Sequence, residues 1–482
     1  DHLFNQYGMS DVDAARLLTA VRQAEDDPAH AQYLTHDLVI RGAAAVSHFS
    51  GQRDLSVSRI ATHNLIAGQV RLGHVVPVEH GTVTDLRDFG VDHDTLATSL
   101  LALGPPGPHL PRDIGLPIVE HLCLSALANS ASVVVLDGDE AFDRPGWFDI
   151  TIDPHNPAVR YDIYSTSASP DAAAEYLTRL LLPPGEMGGH VTDVSRNALY
   201  ACLGSFYAAF TRWPTTRQLL GLLQADALTI DSIAEALPDN PDGDEWRTIL
   251  KTHAAQSRDG YVSVLIARLS QLDRPTWQKF LDDGTKPVFD MRSINRPVRM
   301  RIALPRYEHP EVSRLLARSV INQFIEAATS NRPDDILKCL VVNNAGDCID
   351  SHIAASLHRL RSHNAGIALL THTLSDIPAA VRPAVFGNFG GKIVLGGIDP
   401  ADADIASTWF GAHDATKTAF THIRTRSHSG QAESVSTTTS ATNQSRWAPA
   451  DITHGLPARH AIAILTRRNG EQSTPALVTL EA

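Results

Sequence analysis

Four short apolar runs, each closed by a polar or glycine-rich turn, limit this chain to a small set of folds: SLLALG (99–104), SVVVLDGDEAF (132–142), LKCLVVNNAG (337–346) and AGIALLTHT (365–373). Runs of this length without polar alternation are strands buried on both faces, and such strands belong to parallel sheets covered by helices. The spacing agrees. After the first run come a loop rich in glycine and proline, PPGPHLPRDIGLP, and a helical stretch, IVEHLCLSALAN (118–129), before the second run. Strand, loop, helix and strand make a βαβ unit, so the fold class is α/β with a mainly parallel sheet.

The rest of the chain reads outward from that unit. Residues 9–35 predict a helix capped by Ser10 and Asp11, with Ala14, Leu17, Leu18 and Val21 on one face. Residues 36–100 read as short β-like pieces, LVIRGAAAV, GQVRLGHVVPV and GTVTDL. Residues 171–282 read as mostly helical, an insertion into the α/β pattern. The pattern resumes with a strand at 298–305, a helix at 311–330, a helix at 352–364, and a helix and strand within 377–397. The Ser/Thr-rich stretch 426–446 reads as a mobile loop or hairpin tip, and 458–480 as a terminal hairpin turning at Asn469-Gly470. The expected division is 1–55 (N-terminal helical segment), 56–170 (first part of the α/β core), 171–285 (all-α insertion) and 286–482 (second part of the core with the terminal hairpin).

A strand followed by a glycine-rich loop and a helix gathers backbone N–H groups and a helix N-terminus at one point, which is an anion site in principle. A phosphate-binding loop adds a Lys for the β/γ-phosphates and a Ser/Thr hydroxyl for Mg²⁺. Here the loop reads Gly104-Pro105-Pro106-Gly107-Pro108-His109-Leu110-Pro111. Gly104 and Gly107 match the pattern. His109 stands for the third glycine, Leu110 for the Lys and Pro111 for the Ser/Thr. Pro111 lacks the hydroxyl and also the backbone N–H. No other G-K-[ST] occurs, and there is no Lys before Lys251. The acidic pair that an ATPase of this kind carries at a buried strand end falls on Asn343-Asn344, neutral and poorly basic. Asp347 and Asp350 lie further on and are expected to face elsewhere. No metal ligand set is read from the Cys and His spacing, and the four Cys read as buried free thiols in a reducing compartment.

In the order of these parts the chain resembles the type IV secretion coupling proteins, the TraG/TraD-like conjugation ATPases related to the FtsK/HerA motors, over roughly residues 60–465. GPPG at 104–107 sits where that family has its GPPGSGKT-like loop. VVVLDGDEAF (133–142) is similar to the strand usually written VVxDPKGE, here without the PK. DPHNPAVRYDIY (153–164) is similar to the segment after it, and the helical insertion matches the all-alpha domain in position. ALPRYEHPEVSRLLARSVINQFIEAA resembles the stretch leading to Walker B. HRLRSHNAGIALLTHTLSDI (358–377) resembles the R-x-x-G-I-x-L-x-L-x-x-Q-S-L segment, with Arg361 on the arginine and His372 where Gln is usual. FGNFGGKIVLGGIDPADADIASTWFG (386–411) is similar to the closing strand and helix.

The resemblance implies a RecA-like core, a tendency to oligomerise, an all-alpha domain that contacts substrate, and DNA or protein transport at the inner membrane. It makes Gly104, Gly107, His109, Leu110, Pro111, Asn343 and Asn344 a vestigial nucleotide site, with Arg361 and His372 as polar or partner contacts and no bound cofactor. The expected partners are protein subunits of a secretion apparatus, including an active paralogous ATPase, with DNA as a further partner. The expected location is cytoplasmic, at the inner face of the membrane, with an N-terminal anchor missing from this chain.

Three functional readings stay open on the residues. The first is a pseudo-ATPase. The second is a divergent ATPase that binds ATP and Mg²⁺ with Arg112 in place of the Lys and Asp137 or Asp139 at the metal. The third is a nucleic-acid-binding module using Arg359, Arg361, Arg424 and Arg426, which the formal net charge of −13 disfavours.

Overall fold

The computed structural model describes residues 9–25, 28–77, 87–182, 188–257, 262–304, 306–330, 335–344, 346–427 and 430–481; for residues 28, 30, 43 and 414–443 it describes the backbone alone. In chain order the strands are β1 (His63–Asn64), β2 (Gln69–Val76), β3 (Arg87–Asp92), β4 (Leu100–Leu103), β5 (Ala131–Asp137), β6 (Ile150–Ile152), β7 (Arg160–Tyr161), β8 (Val288–Phe289), β9 (Arg299–Ala303), β10 (Leu337–Asn343), β11 (Ala365–Thr371), β12 (Gly391–Leu395), β13 (Ala412–Ser427), β14 (Gly430–Ser445), β15 (His460–Ile464) and β16 (Ala476–Leu480). The four apolar runs become β4, β5, β10 and β11, and every residue in them is buried.

One sheet carries most of them, in the order β1-β2-β16-β15-β12-β4-β11-β10-β5-β9-β6, with β3 on β2. From β12 to β6 all pairings are parallel. Beyond β12 they are antiparallel, through the β15–β16 hairpin to β2. Side chains along a strand point alternately to its two faces. Leu101, Leu103, Val134, Leu136, Leu340, Val342, Ile367 and Leu369 therefore enter one apolar core. Leu100, Ala102, Val133, Val135, Cys339, Val341, Ala368 and Leu370 enter the other. The first core also holds the Pro310–Thr329 and Ser351–Ser362 helices and the insertion. The second holds the Leu116–Leu127 helix and the N-terminal strands. All four cysteines are buried and free.

The chain between β7 and β8 forms helices from Pro170 to Leu281, the longest being Gly189–Phe210. β7 and β8 pair with each other in parallel, so the helical segment leaves and returns at one neck. Tyr161 of that neck stacks on Phe280 and Phe289.

The N-terminal region departs from its sequence reading. The expected single helix is two, Asp11–Ala24 and Pro28–Arg41, because proline at 28 cannot continue a helix already in progress but suits the first turn of a new one. LVIRGAAAV is the end of the second helix and a 3₁₀ turn rather than a strand. GQVRLGHVVPV does form β2, and GTVTDL lies outside the described residues. The Ser/Thr-rich stretch 426–446 is mostly strand, the second arm of the antiparallel β13–β14 ribbon. The terminal hairpin forms as β15 and β16, with Gly470 at φ +92° in its turn.

Buried polar groups tie the N-terminal region to the core. Arg16 donates to the carbonyl of Leu127 at 2.6 Å, at the C-terminus of the Leu116–Leu127 helix, and pairs with Asp13. Glu120 on that helix accepts the N–H groups of Ile60 and Ala61 and pairs with His63 at 2.7 Å. His121 lies beside His63 and His93, with ring centroids 5.5 and 5.2 Å away. Burial, and then the charges that His93 and His63 would carry, hold its pKa well below the usual imidazole value. Burial lowers His93 to about 4 against the pull of Asp92. His48 is lowered to about 4 by burial, which outweighs the neighbouring Asp149.

These imidazoles stay neutral in the folded chain, whereas the unfolded chain protonates them near pH 6.5. Their contribution is fully present above that pH and is lost as the pH falls toward about 4. Thermal unfolding followed by circular dichroism should therefore show a midpoint that falls from pH 7 to pH 4.5. His121→Leu should flatten that fall; an unchanged slope would mean the cluster carries no linkage.

Candidate functional site

The carboxyl ends of the parallel strands carry every residue of the sequence-predicted site except Arg361. β4 ends at Leu103, and the Gly104 N–H donates to the carbonyl of Thr371 at the end of β11, 3.2 Å away. His372 Nδ1 lies 3.2 Å from the Gly104 carbonyl oxygen, which accepts from it when Nδ1 carries the proton. The loop is thus closed onto β11 at its first residue. Gly107 has φ +131° and open space around its Cα, so the backbone there requires glycine. At Gly104 a Cβ would meet Leu110 and Leu395 at 3.4–3.5 Å, which is ordinary contact.

The helix starts at His109, earlier than the sequence reading of 118. Residues Pro111–Gly115 form a wide π turn, and the Leu116 N–H reaches back five residues to the Pro111 carbonyl. The cause is Pro117, which has no N–H for the Asp113 carbonyl and whose ring crowds it. Leu110 is 1 % exposed and belongs to the same apolar cluster as Ala102, Ile114 and Leu395. Arg112 donates from Nε to Asp113 at 2.6 Å and from Nη2 at 3.2 Å, and lies 3.1 Å from His109 Nδ1. Asp113 is fully buried.

β11 lies between β4 and β10 and sets their separation. Asn343, the last residue of β10, is 3 % exposed, and its Nδ2 has no hydrogen-bond partner among the described residues. Asn344 turns out of the strand at φ +53° and donates its N–H to the Leu370 carbonyl at 2.8 Å. Asn is among the few side chains that tolerate this left-handed backbone.

Three of the nearby acids, Asp137, Asp347 and Asp350, are already engaged. Asp137, at the end of β5, accepts the N–H groups of Ala141 and Phe142 and pairs with Arg301 at 3.1 Å. Asp347 accepts from Arg306 and from Arg314, each at 2.8 Å. Burial alone would raise the Asp347 pKa, but the two guanidiniums hold it below the usual carboxylate range. Asp350 caps the Ser351–Ser362 helix through the Ile353 N–H and lies 3.6 Å from Arg318.

No family model and no curated protein matches this sequence. Solved structures do. The unbound monoclinic form of the bacterial conjugative coupling protein TrwBΔN70 superposes with a TM-score of 0.57 at 16 % identity, over 81 % of this chain and 87 % of that one. TrwB in complex with ADP and Mg²⁺ gives 0.55 at 17 % identity, over 81 % and 86 %. TrwB with a non-hydrolysable GTP analogue gives 0.56 at 16 %, over 89 % and 97 %. The chain has the fold of the coupling protein TrwB. Its RecA-like α/β core with a helical segment at 170–281 is the architecture expected from the sequence.

Within the TrwB-like fold, Gly104, Gly107, His109, Leu110 and Pro111 share one loop and helix start, His372 joins them through Gly104, and Asn343 and Asn344 lie two strands away. Arg361 does not join them. It precedes β11, at the opposite edge of the sheet, and donates to the carbonyls of Arg467 and Arg468 in the terminal hairpin. Arg359 pairs with Glu326 and donates to Thr329. The side chains of Arg424 and Arg426 lie outside the described residues.

Sequence reasoning missed Arg301, Arg306 and Arg314 as the partners of the local acids. A signal was present: Arg299 and Arg301 sit two apart in an apolar strand, and buried guanidiniums need buried carboxylates. Arg299 does pair with Asp149.

The backbone at Asn344 yields a stability test. Asn344→Ala should lower stability by roughly 1 kcal/mol, and Asn344→Gly should leave it near wild type. Urea midpoints for the three proteins decide this; equal midpoints for Ala and Gly would exclude the left-handed turn.

Proposed function

We propose that this chain is a coupling-protein-like subunit of a conjugation or type IV secretion-like transport system, with a structural or regulatory role and without ATP turnover. The observation that carries this reading is Leu110. The position that a phosphate-binding loop gives to its lysine holds a side chain directed into the apolar core. Neutralising a triphosphate needs a cation there, and holding Mg²⁺ needs a hydroxyl and a carboxylate. Pro111 offers neither hydroxyl nor N–H, and Asn343 and Asn344 carry no charge. These residues do not fit a magnesium–triphosphate complex.

The divergent-ATPase reading is weakened by the same geometry. Arg112 is committed to Asp113, and Asp137 to Arg301 and a backbone turn, which leaves this reading Asp139 as its metal ligand. The nucleic-acid reading loses Arg359 and Arg361, whose guanidiniums are engaged within the chain. The partners on the favoured reading are protein subunits of the apparatus, an active paralogous ATPase among them, at the inner face of the membrane, with DNA or protein as cargo. Among the described residues no helix is long and apolar enough to cross a membrane.

Phosphate release from the purified chain with Mg·ATP should stay at the blank level, and calorimetry should show no Mg²⁺-dependent heat of nucleotide binding. Leu110→Lys alone should not restore release, because the missing base and metal ligands each cost about 10²-fold or more. Magnesium-dependent release that Arg112→Ala abolishes would overturn this reading in favour of the divergent ATPase.

A further inference from the structure

The β13–β14 ribbon is the longest ladder among the described residues. Ala412 faces Ser445 and Ser427 faces Gly430, with 16 residues in each strand and no register shift between these ends. At about 3.4 Å per residue the ribbon is about 50 Å long. Neither strand pairs with any other strand among the described residues.

The ribbon is rooted in the core. Gly411 turns the chain out of the Pro400–Phe410 helix at φ +74°, and where β14 returns the Arg446 N–H donates to the Gly411 carbonyl at 2.9 Å. Phe410 and Trp447, both buried, meet edge to face with centroids 5.8 Å apart. Ser407 Oγ donates to the Trp447 carbonyl at 2.7 Å. Packed side chains therefore set the direction in which both strands leave the body.

Beyond this root the ribbon has two open edges. In a two-stranded antiparallel ladder every second residue of each strand points its N–H and C=O outward, and such a ribbon alone is marginally stable in water. Strand edges that must stay unpaired are blunted by proline, by bulges or by charge. These strands contain no proline, and their ladder has no bulge. Thirteen of their residues are Ser or Thr, and only Phe420, Ile423 and Val435 are large and apolar. The faces thus offer too little apolar surface for face-on docking, and pairing at the edges is what the ribbon is built for.

The two edges match each other. They are equal in length, and two ribbons standing side by side with their roots at the same end place β14 of one antiparallel to β13 of the next. The charges select this arrangement. β13 carries Lys417, Arg424 and Arg426 against Asp414, whereas β14 carries Glu433 and no Lys or Arg. Pairing β13 with β14 brings opposite charge together, and pairing like strands brings like charge together. We propose that the ribbon is an assembly arm whose β13 edge pairs with the β14 edge of a second copy of this chain. Each copy then uses one edge on either side, a head-to-tail contact rather than a two-fold one. This pairing rests on the backbone and the strand charges, and does not depend on the transport reading or on whether ATP is turned over.

The test is sedimentation velocity of the full chain from about 1 to 100 µM, with hydrogen exchange of the ribbon amides at both ends of that range. Association is expected, with ribbon amides that exchange more slowly as it proceeds. A trimmed variant lacks residues 416–441 and joins Ala415 to Thr442, which face each other in the ladder, through an Asn-Gly turn. It keeps the root, so its melting temperature should stay near wild type while its association is lost. Lys417→Glu, Arg424→Glu and Arg426→Glu together make both strands acidic and should raise the concentration for half-association by about tenfold or more. A chain that stays monomeric throughout, or a trimmed variant that associates as the full chain does, overturns the proposal. Ribbon amides that gain protection only when a DNA duplex is added also overturn it, and assign the ribbon to nucleic acid instead.

Discussion

Complete desolvation of β4, β5, β10 and β11 is the constraint on which the rest of the molecule depends. A strand buried on both faces must pair every backbone group with a neighbour, and parallel neighbours need helices on each side to exclude water. The alternation of apolar side chains into two cores answers both demands. It also fixes where polar chemistry can occur: at the strand ends, where the backbone leaves the sheet and N–H groups, carbonyls and charged side chains gather.

At that carboxyl edge the chain satisfies its own charges. Asp137 is held by Arg301 and by a turn, Asp347 by Arg306 and Arg314, and Asp113 by Arg112. A buried carboxylate without a partner would be expensive, and Asp137, Asp347 and Asp113 have each recruited a guanidinium. The same pairing removes these acids from duty as metal ligands. At the helix start after β4, Leu110 faces the apolar core and Pro111 lacks an N–H donor. The TrwB-like fold and the proposed loss of turnover are compatible for this reason: the packing that forms the fold does not use the charged groups that chemistry needs.

The neck between core and helical segment follows a different logic. There Tyr164, Tyr207 and Trp213 stack, and Asp162 and Asp282 lie in one cavity wall with Arg160 and Arg212.

Much of this was legible in the residues. Apolar runs without alternation gave the parallel strands, because burial on both faces leaves no position for polar groups. The order of loop, strand and helical segment gave the fold resemblance, and the proposed loss of turnover rests on the residue types at 110, 111, 343 and 344. Other features were not legible. The helix break at Pro28, the strand character of the Ser/Thr-rich ribbon and the wide turn ahead of Pro117 depend on local backbone competition that composition does not resolve. The placement of Arg361 at the far edge, the pairing of Asp347 with Arg306 and Arg314, and the junction cavity all join residues separated by tens to hundreds of positions. Sequence alone determines which side chains can be buried, since that is a property of each residue; only the tertiary structure decides which charges meet, since that depends on where the sheet order and the helical insertion bring the chain back to itself.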